Sequence, residues 1–181
     1  MSNAVTINIL AAYIFYFLVV YSPEKKKRLI IKNNLKKQYR QFKETIINRF
    51  LDITRDVGDG TETLSVATKL CDIVEFRQYF KVNNDERWNK VLNVADGNKY
   101  LLQEMLSELA ILRDEISFVF NNVEIHDEQV FAFLKNLSQI IYRLERSDFE
   151  TDDFRSLMSF MWQVFAGWSW IDGYAEKDIL Q

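Results

Sequence analysis

The residues richest in potential chemistry fall in a few short acidic or thiol-bearing stretches. His126 stands beside Asp127 and Glu128, a grouping an acid/base centre could use, because imidazole titrates near neutral pH and a carboxylate can orient it. The setting reads better as a helix start: two carboxylates at a helix N-terminus stabilise its dipole, and no nucleophile lies nearby in sequence. The run Asp56-Val57-Gly58-Asp59-Gly60-Thr61-Glu62 offers carboxylates to calcium. It lacks the alternating ligand positions before the glycine and the closing glutamate of an EF-hand loop, so it reads as a turn ending one helix and capping the next. Ser147 with Glu150 fits a capping box, and Asp152 and Asp153 fit a first helical turn, ahead of a carboxylate metal site.

Cys71 is the one cysteine and His126 the one histidine. No intrachain disulfide and no Cys/His zinc site can be assembled from them, and with no cation or metal partner visible nearby Cys71 reads as a small core residue. Gly-rich phosphate loops, HExxH, paired cysteines and the nucleophile elbow are all missing from the sequence. No catalytic, cofactor-binding or metal-binding residue is assigned, and the chain reads as a non-enzyme. A carboxylate site built from distant helical residues is the one enzymatic route left open.

Cation chemistry is the stronger signal. The net charge is −3, but residues 24–49 carry ten Lys/Arg against two Glu, a local charge of +8 that leaves −11 for the rest. At 100° per residue Lys25, Arg28, Lys32, Lys36, Arg40 and Lys43 form one stripe, beside a second of Ile31, Leu35, Phe42, Ile46 and Ile53. A basic, amphipathic helix has two readings: a solvated face that sets membrane topology, or a headgroup-binding face made of Lys25, Lys26, Lys27, Arg28, Lys32 and Lys36. Each cation near an anionic surface contributes about 1 kcal/mol within a Debye length of about 8 Å. Lys25 to Arg28 satisfy that distance in any pose, whereas Lys36 to Lys43 would join only if the helix bent at Pro23 and lay along the surface. Nucleic acid is disfavoured, because no binding motif accompanies the charge.

What must position these cations is the segment before them. Ala4 to Tyr21 is eighteen residues without a charge, followed by Ser22-Pro23-Glu24 and then Lys25-Lys26-Lys27-Arg28. At about 1.5 Å per residue it reaches roughly 27 Å, against a hydrocarbon core of about 30 Å. The charge follows the apolar run, unlike a cleaved signal peptide, and Tyr13, Tyr16 and Tyr21 suit an interface. The positive-inside bias then places the N-terminus outside and the body in the cytoplasm. Ser22-Pro23-Glu24 carries the residues of a helix start.

The whole chain, 48% hydrophobic and 14% aromatic with five glycines and one proline, favours packed helices with few breakers. Helices are expected over about Glu62–Phe80, after Asn84, from Asn98 to Val123, from Asp127 to Arg146 and from Asp152 to Trp168. Leu102, Met105, Leu109, Leu112, Ile116, Val119 and Val123 alternate steps of three and four, and a short link should fold this helix and the next into an antiparallel hairpin. In the last helix Phe154, Leu157, Met161, Val164, Phe165 and Trp168 supply a core stripe. Phe160, Trp162 and Trp170 point elsewhere, so Phe160, Trp162, Trp168 and Trp170 are candidates for a partner or oligomer interface.

The expected architecture is all-α: a transmembrane anchor over 1–22, a basic juxtamembrane helix over 23–56 and an acidic bundle over 57–181, about five to six helices in all after the anchor. The expected function is a membrane-tethered interaction module, with anionic lipid and a protein partner or a second copy as its contacts. The alternative is a small membrane-perturbing effector, holin-like or growth-arresting, whose short span and Asn8 would drive assembly.

Overall fold

The computed structural model describes residues 13–54, 63–80, 86–96, 98–146, 151–169 and 173–180, and these fold as a helical bundle. The first helix is unbroken from 13 to 54, about 60 Å at 1.5 Å per residue. Its regular part, α1 (Ser22–Thr54), follows a five-residue π-helical turn, Phe17–Tyr21. This corrects the expected helix start at Ser22-Pro23. Proline lacks an N–H, and its ring collides with the carbonyl four residues back, here that of Val19. The wider π turn, in which the Ser22 N–H donates to the Phe17 carbonyl, carries the helix through that point.

Among the described residues no helix is long and apolar enough to cross a membrane. The expected span over 1–22 is thus not supported by them, and its first twelve positions lie outside them. Residues 13–21 are helical and wholly exposed.

Six further helices follow among the described residues: α2 (Thr63–Leu70), α3 (Ile73–Tyr79), α4 (Glu86–Ala95), α5 (Lys99–Asn122), α6 (Glu128–Leu144) and α7 (Thr151–Ala166). The expected single helix over Glu62–Phe80 is two, because the Asp72 side chain accepts hydrogen bonds from the Val74 and Glu75 N–H groups and starts a new one. The break resets the phase: Ile73 and Phe76 are buried while Val74 is exposed. Asn98 and Asp127 cap α5 and α6 in the same way, and Asp127 therefore has the structural role expected of it. The turn at 56–62 and the Ser147–Glu150 capping box lie outside the described residues.

Helices α5 and α6 form the antiparallel hairpin, with Phe120 against Phe131 near the link and Arg113 paired with Glu145 further down. The basic helix is not a separate layer. Asn34 donates to Glu115 at 2.7 Å and Arg49 pairs with Glu104, so α1 runs antiparallel along α5, and Ile31, Leu35, Phe42 and Ile46 are buried in the same core as the rest of the bundle.

Helix α7 ends at Ala166, two residues before the expected Trp168. Gly167 has φ +59°, a left-handed conformation that suits glycine as a helix stop, and a Cβ there would sit 2.9 Å from Ile73 Cδ1. The chain then reverses in a short antiparallel ladder of β1 (Trp168–Ser169) and β2 (Gly173–Tyr174), Trp168 opposite Tyr174. The ladder is an addition to the expected all-α plan.

Candidate functional site

Two features stand out: the exposed N-terminal helix with its cations, and a basic cleft on α1 closed at its floor by the C-terminal tail. Every side chain from Tyr13 to Tyr21 is about half or more exposed, from 47% at Tyr21 to 68% at Tyr13. Nine consecutive large apolar residues with no buried member are costly in water, and such surface marks a membrane or partner contact. Lys25, Lys26 and Lys27 follow one turn further on, after Ser22-Pro23-Glu24, and are exposed. Arg28 pairs with Glu24 at 3.3 Å. Lys32 and Lys36 are exposed one and two turns further on, and Leu29 and Ile30 add exposed apolar area beside the lysines, at 59% and 68%.

The basic stripe does not stay outside. Lys43, its last member, is fully buried. Its ammonium donates to Asp178 Oδ2 at 2.8 Å and to the Cys71 carbonyl at 2.7 Å. The Asp178 side chain is itself only 4% exposed, and its Oδ1 accepts from the Leu180 N–H. Each partner has a local cause. The α2–α3 break leaves the Cys71 carbonyl available to Lys43, and the hairpin after Gly167 turns the tail back so that Asp178 meets α1 and Leu180 enters the core. Arg77 fastens the same tail, donating to the Ala175 carbonyl and lying over the Tyr174 ring.

Beside this pair Tyr39 is buried, and burial together with the Asp178 charge and their hydrogen bond holds its phenol well above the usual range. Burial also pushes the Cys71 thiol up to about 11, against the lowering pull of Lys43. Both groups therefore stay protonated and uncharged at neutral pH. Cys71 is a buried core residue, as expected.

An open cleft of about 550 Å³ lies over this point, lined by Lys36, Lys37, Tyr39, Arg40, Lys43, Thr68, Cys71, Asp72 and Leu180. Sequence reasoning placed Lys36 on the basic face but missed the cleft, because Leu180 and Cys71 reach it only through the fold. A second open cleft, about 390 Å³, lies between α4 and α7 with Trp88, Asp96, Arg155 and Trp162 among its walls.

The aromatic surplus of α7 is consumed inside. Phe160 and Trp162 are buried, and Trp162 packs on Phe76 and Trp88 with ring centroids 5.4 and 5.1 Å apart. Both are largely covered by neighbouring helices, and Trp162 keeps one edge on the second cleft. The faces left over from the α1 contact are filled by α3 and α4, whose Phe76, Phe80 and Trp88 join Phe50 and Phe165 in one aromatic cluster. Trp168 is half-buried at the start of the ladder, and Trp170 lies outside the described residues. His126 is exposed in the α5–α6 link. Among the described residues no three His, Cys, Asp or Glu side chains gather where a metal could bind.

Comparison with protein-family models, with curated proteins and with solved structures returned no match.

Proposed function

We propose that this protein is a membrane-tethered helical interaction module, held by the apolar end of its first helix with the adjoining lysines at the anionic headgroups and the bundle projecting on the cytoplasmic side. The observation that carries this reading is the uninterrupted exposure of residues 13–21 on a helix continuous with the folded core, with Lys25, Lys26 and Lys27 one turn further on after Ser22-Pro23-Glu24. The chain spends no buried contact on this segment, so its apolar surface is free for a lipid phase.

The two attachments are comparable in size. Ile14, Phe15, Phe17, Leu18, Val19 and Val20 at about 0.5 kcal/mol each give about 3 kcal/mol. Three unpaired lysines at about 1 kcal/mol each give about as much again. A partner-facing surface on the bundle is the second half of the proposal, and the exposed Ile111 and Phe118 on α5, one heptad apart, support it.

The test is flotation of the full-length protein with vesicles of phosphatidylcholine and phosphatidylserine. The wild type should float. Leu18→Arg, which costs about 3 kcal/mol in hydrocarbon and touches no core residue, should leave it in the soluble fraction with its helical signal intact. A wild type that stays in solution, or a Leu18→Arg protein that floats equally well, rejects the tether. Leakage of a trapped dye from the same vesicles would point to the membrane-perturbing effector.

A further inference from the structure

We infer that the cleft over Lys36, Lys37 and Arg40 is a binding site for a phosphate-bearing ligand, separate from the lipid attachment at Lys25–Lys27. The inference does not depend on the membrane reading. Its first support is the arrangement of charge. Lys32, Lys36 and Arg40 follow one another at intervals of four on α1, a spacing at which like charges repel across a turn. Lys36 and Lys37 have no ion-pair or hydrogen-bond partner among the described residues, and Arg40 uses only its Nε, toward Glu44 at 3.1 Å. The terminal nitrogens of the Arg40 guanidinium are thus available to a forked acceptor. A dianion between these groups converts the repulsion into attraction.

Its second support is that carboxylates are outnumbered around the cleft. Asp72 is the one carboxylate in the lining, and its Oδ1 accepts from two α3 N–H groups. Asp178 is sealed against Lys43 beneath the cleft. Lys43 and Asp178 cancel each other, so the floor is neutral, and Tyr39, Cys71 and Leu180 make it apolar. The rim cations face an open volume of about 550 Å³, larger than a simple anion needs. This combination fits a phosphate group carried on a small organic body: phosphate oxygens at the rim, body against the floor.

The source of the phosphate is decided by distance. Lys36 and Arg40 lie fifteen and nineteen residues beyond Tyr21, about 22 and 28 Å along the helix. That is more than two Debye lengths from a surface at Tyr21. A soluble phosphate ester reaches the cleft in every pose. A phosphoinositide headgroup reaches it only if the helix lies flat.

The experiment titrates pyrophosphate calorimetrically into the full chain with neutral phosphatidylcholine vesicles present, whether or not the chain binds them. Saturable binding at one site is expected, weakened at least tenfold in K36E/K37E and changed less than twofold in K26E/K27E. These four lysines are exposed, and circular dichroism of each variant checks the fold. No saturable heat with the wild type, or equal losses in the two variants, overturns the inference. A second arm adds a phosphoinositide to the vesicles. Added affinity that K36E/K37E removes assigns the cleft to the lipid headgroup; added affinity that only K26E/K27E removes, with pyrophosphate binding intact, assigns it to a soluble ligand.

Discussion

Removing the Asp178 carboxylate should destabilise the whole bundle although the residue lies three positions from the C-terminus. In Asp178→Ala the Lys43 ammonium, fully buried in the middle of α1, keeps one acceptor, the Cys71 carbonyl, and no counter-charge. Breaking one side of a buried ion pair costs about 3–5 kcal/mol, because the remaining charge is left without water or partner. With an unfolding entropy near 2.1 cal/mol/K per residue, a 181-residue chain has about 0.4 kcal/mol/K, so the melting temperature should fall by roughly 8–13 °C. Lys43→Met should cost less, since Asp178 can reach solvent when the tail lifts, whereas Lys43 cannot leave the helix. The double variant Lys43→Met/Asp178→Leu removes both charges and should recover most of the loss, as apolar replacements of buried pairs commonly do. Thermal melts followed by circular dichroism on the wild type and the three variants make the comparison. A fall under about 3 °C for Asp178→Ala, roughly 1 kcal/mol, would show that the pair is screened like a surface bridge and refute the reasoning.

Further predictions concern the same fold. Gly167→Ala meets both a left-handed backbone and Ile73 Cδ1 at 2.9 Å, and should lose about 1–3 kcal/mol in urea denaturation, more than the usual glycine-to-alanine change outside such sites. Asp72→Ala removes a cap that accepts from two N–H groups and should cost about 1 kcal/mol, whereas Asp72→Asn should cost only a few tenths. With its thiol pushed up to about 11, native Cys71 at pH 8 should react with a thiol reagent about a hundredfold more slowly than unfolded chain, from ionisation alone. The folded thiol binds its proton more tightly than the unfolded one. Its contribution to stability is thus complete below the unfolded pKa of about 9 and is lost as pH rises from there towards 11; Cys71→Ala should flatten that decline. Trp162→Ala, which empties a site between Phe76 and Trp88, should cost about 3–5 kcal/mol.

Much of the fold is legible from periodicity. The stripe from Met105 to Val123 appears as a buried helix face, offset only in that Leu101, not Leu102, is its first fully buried member. The Asp127 start of α6 follows from local capping chemistry, which needs no knowledge of the rest of the chain. The apolar run and the lysines after it are equally a property of sequence, because hydrophobicity and charge act through composition over a few turns. Continuity through Pro23 was hidden: proline and serine carry the marks of a helix start, and only the surrounding helix shows the π turn that absorbs them.

What tertiary structure alone decided is the fate of the charged and aromatic side chains. A lysine at the end of a basic stripe reads as solvated, because burying an ammonium is unfavourable until a carboxylate is supplied. That carboxylate is Asp178, 135 residues away, and no local pattern links the two. The tryptophans follow the same logic. Their surplus on one helix looks like an interface until Phe76 and Trp88 arrive from other helices to cover Trp162. Sequence determined where the chain is apolar, where it is cationic and where its main helices run, since those follow from short-range chemistry. The long-range fold decided which of those cations is buried and how the others come to surround a cleft.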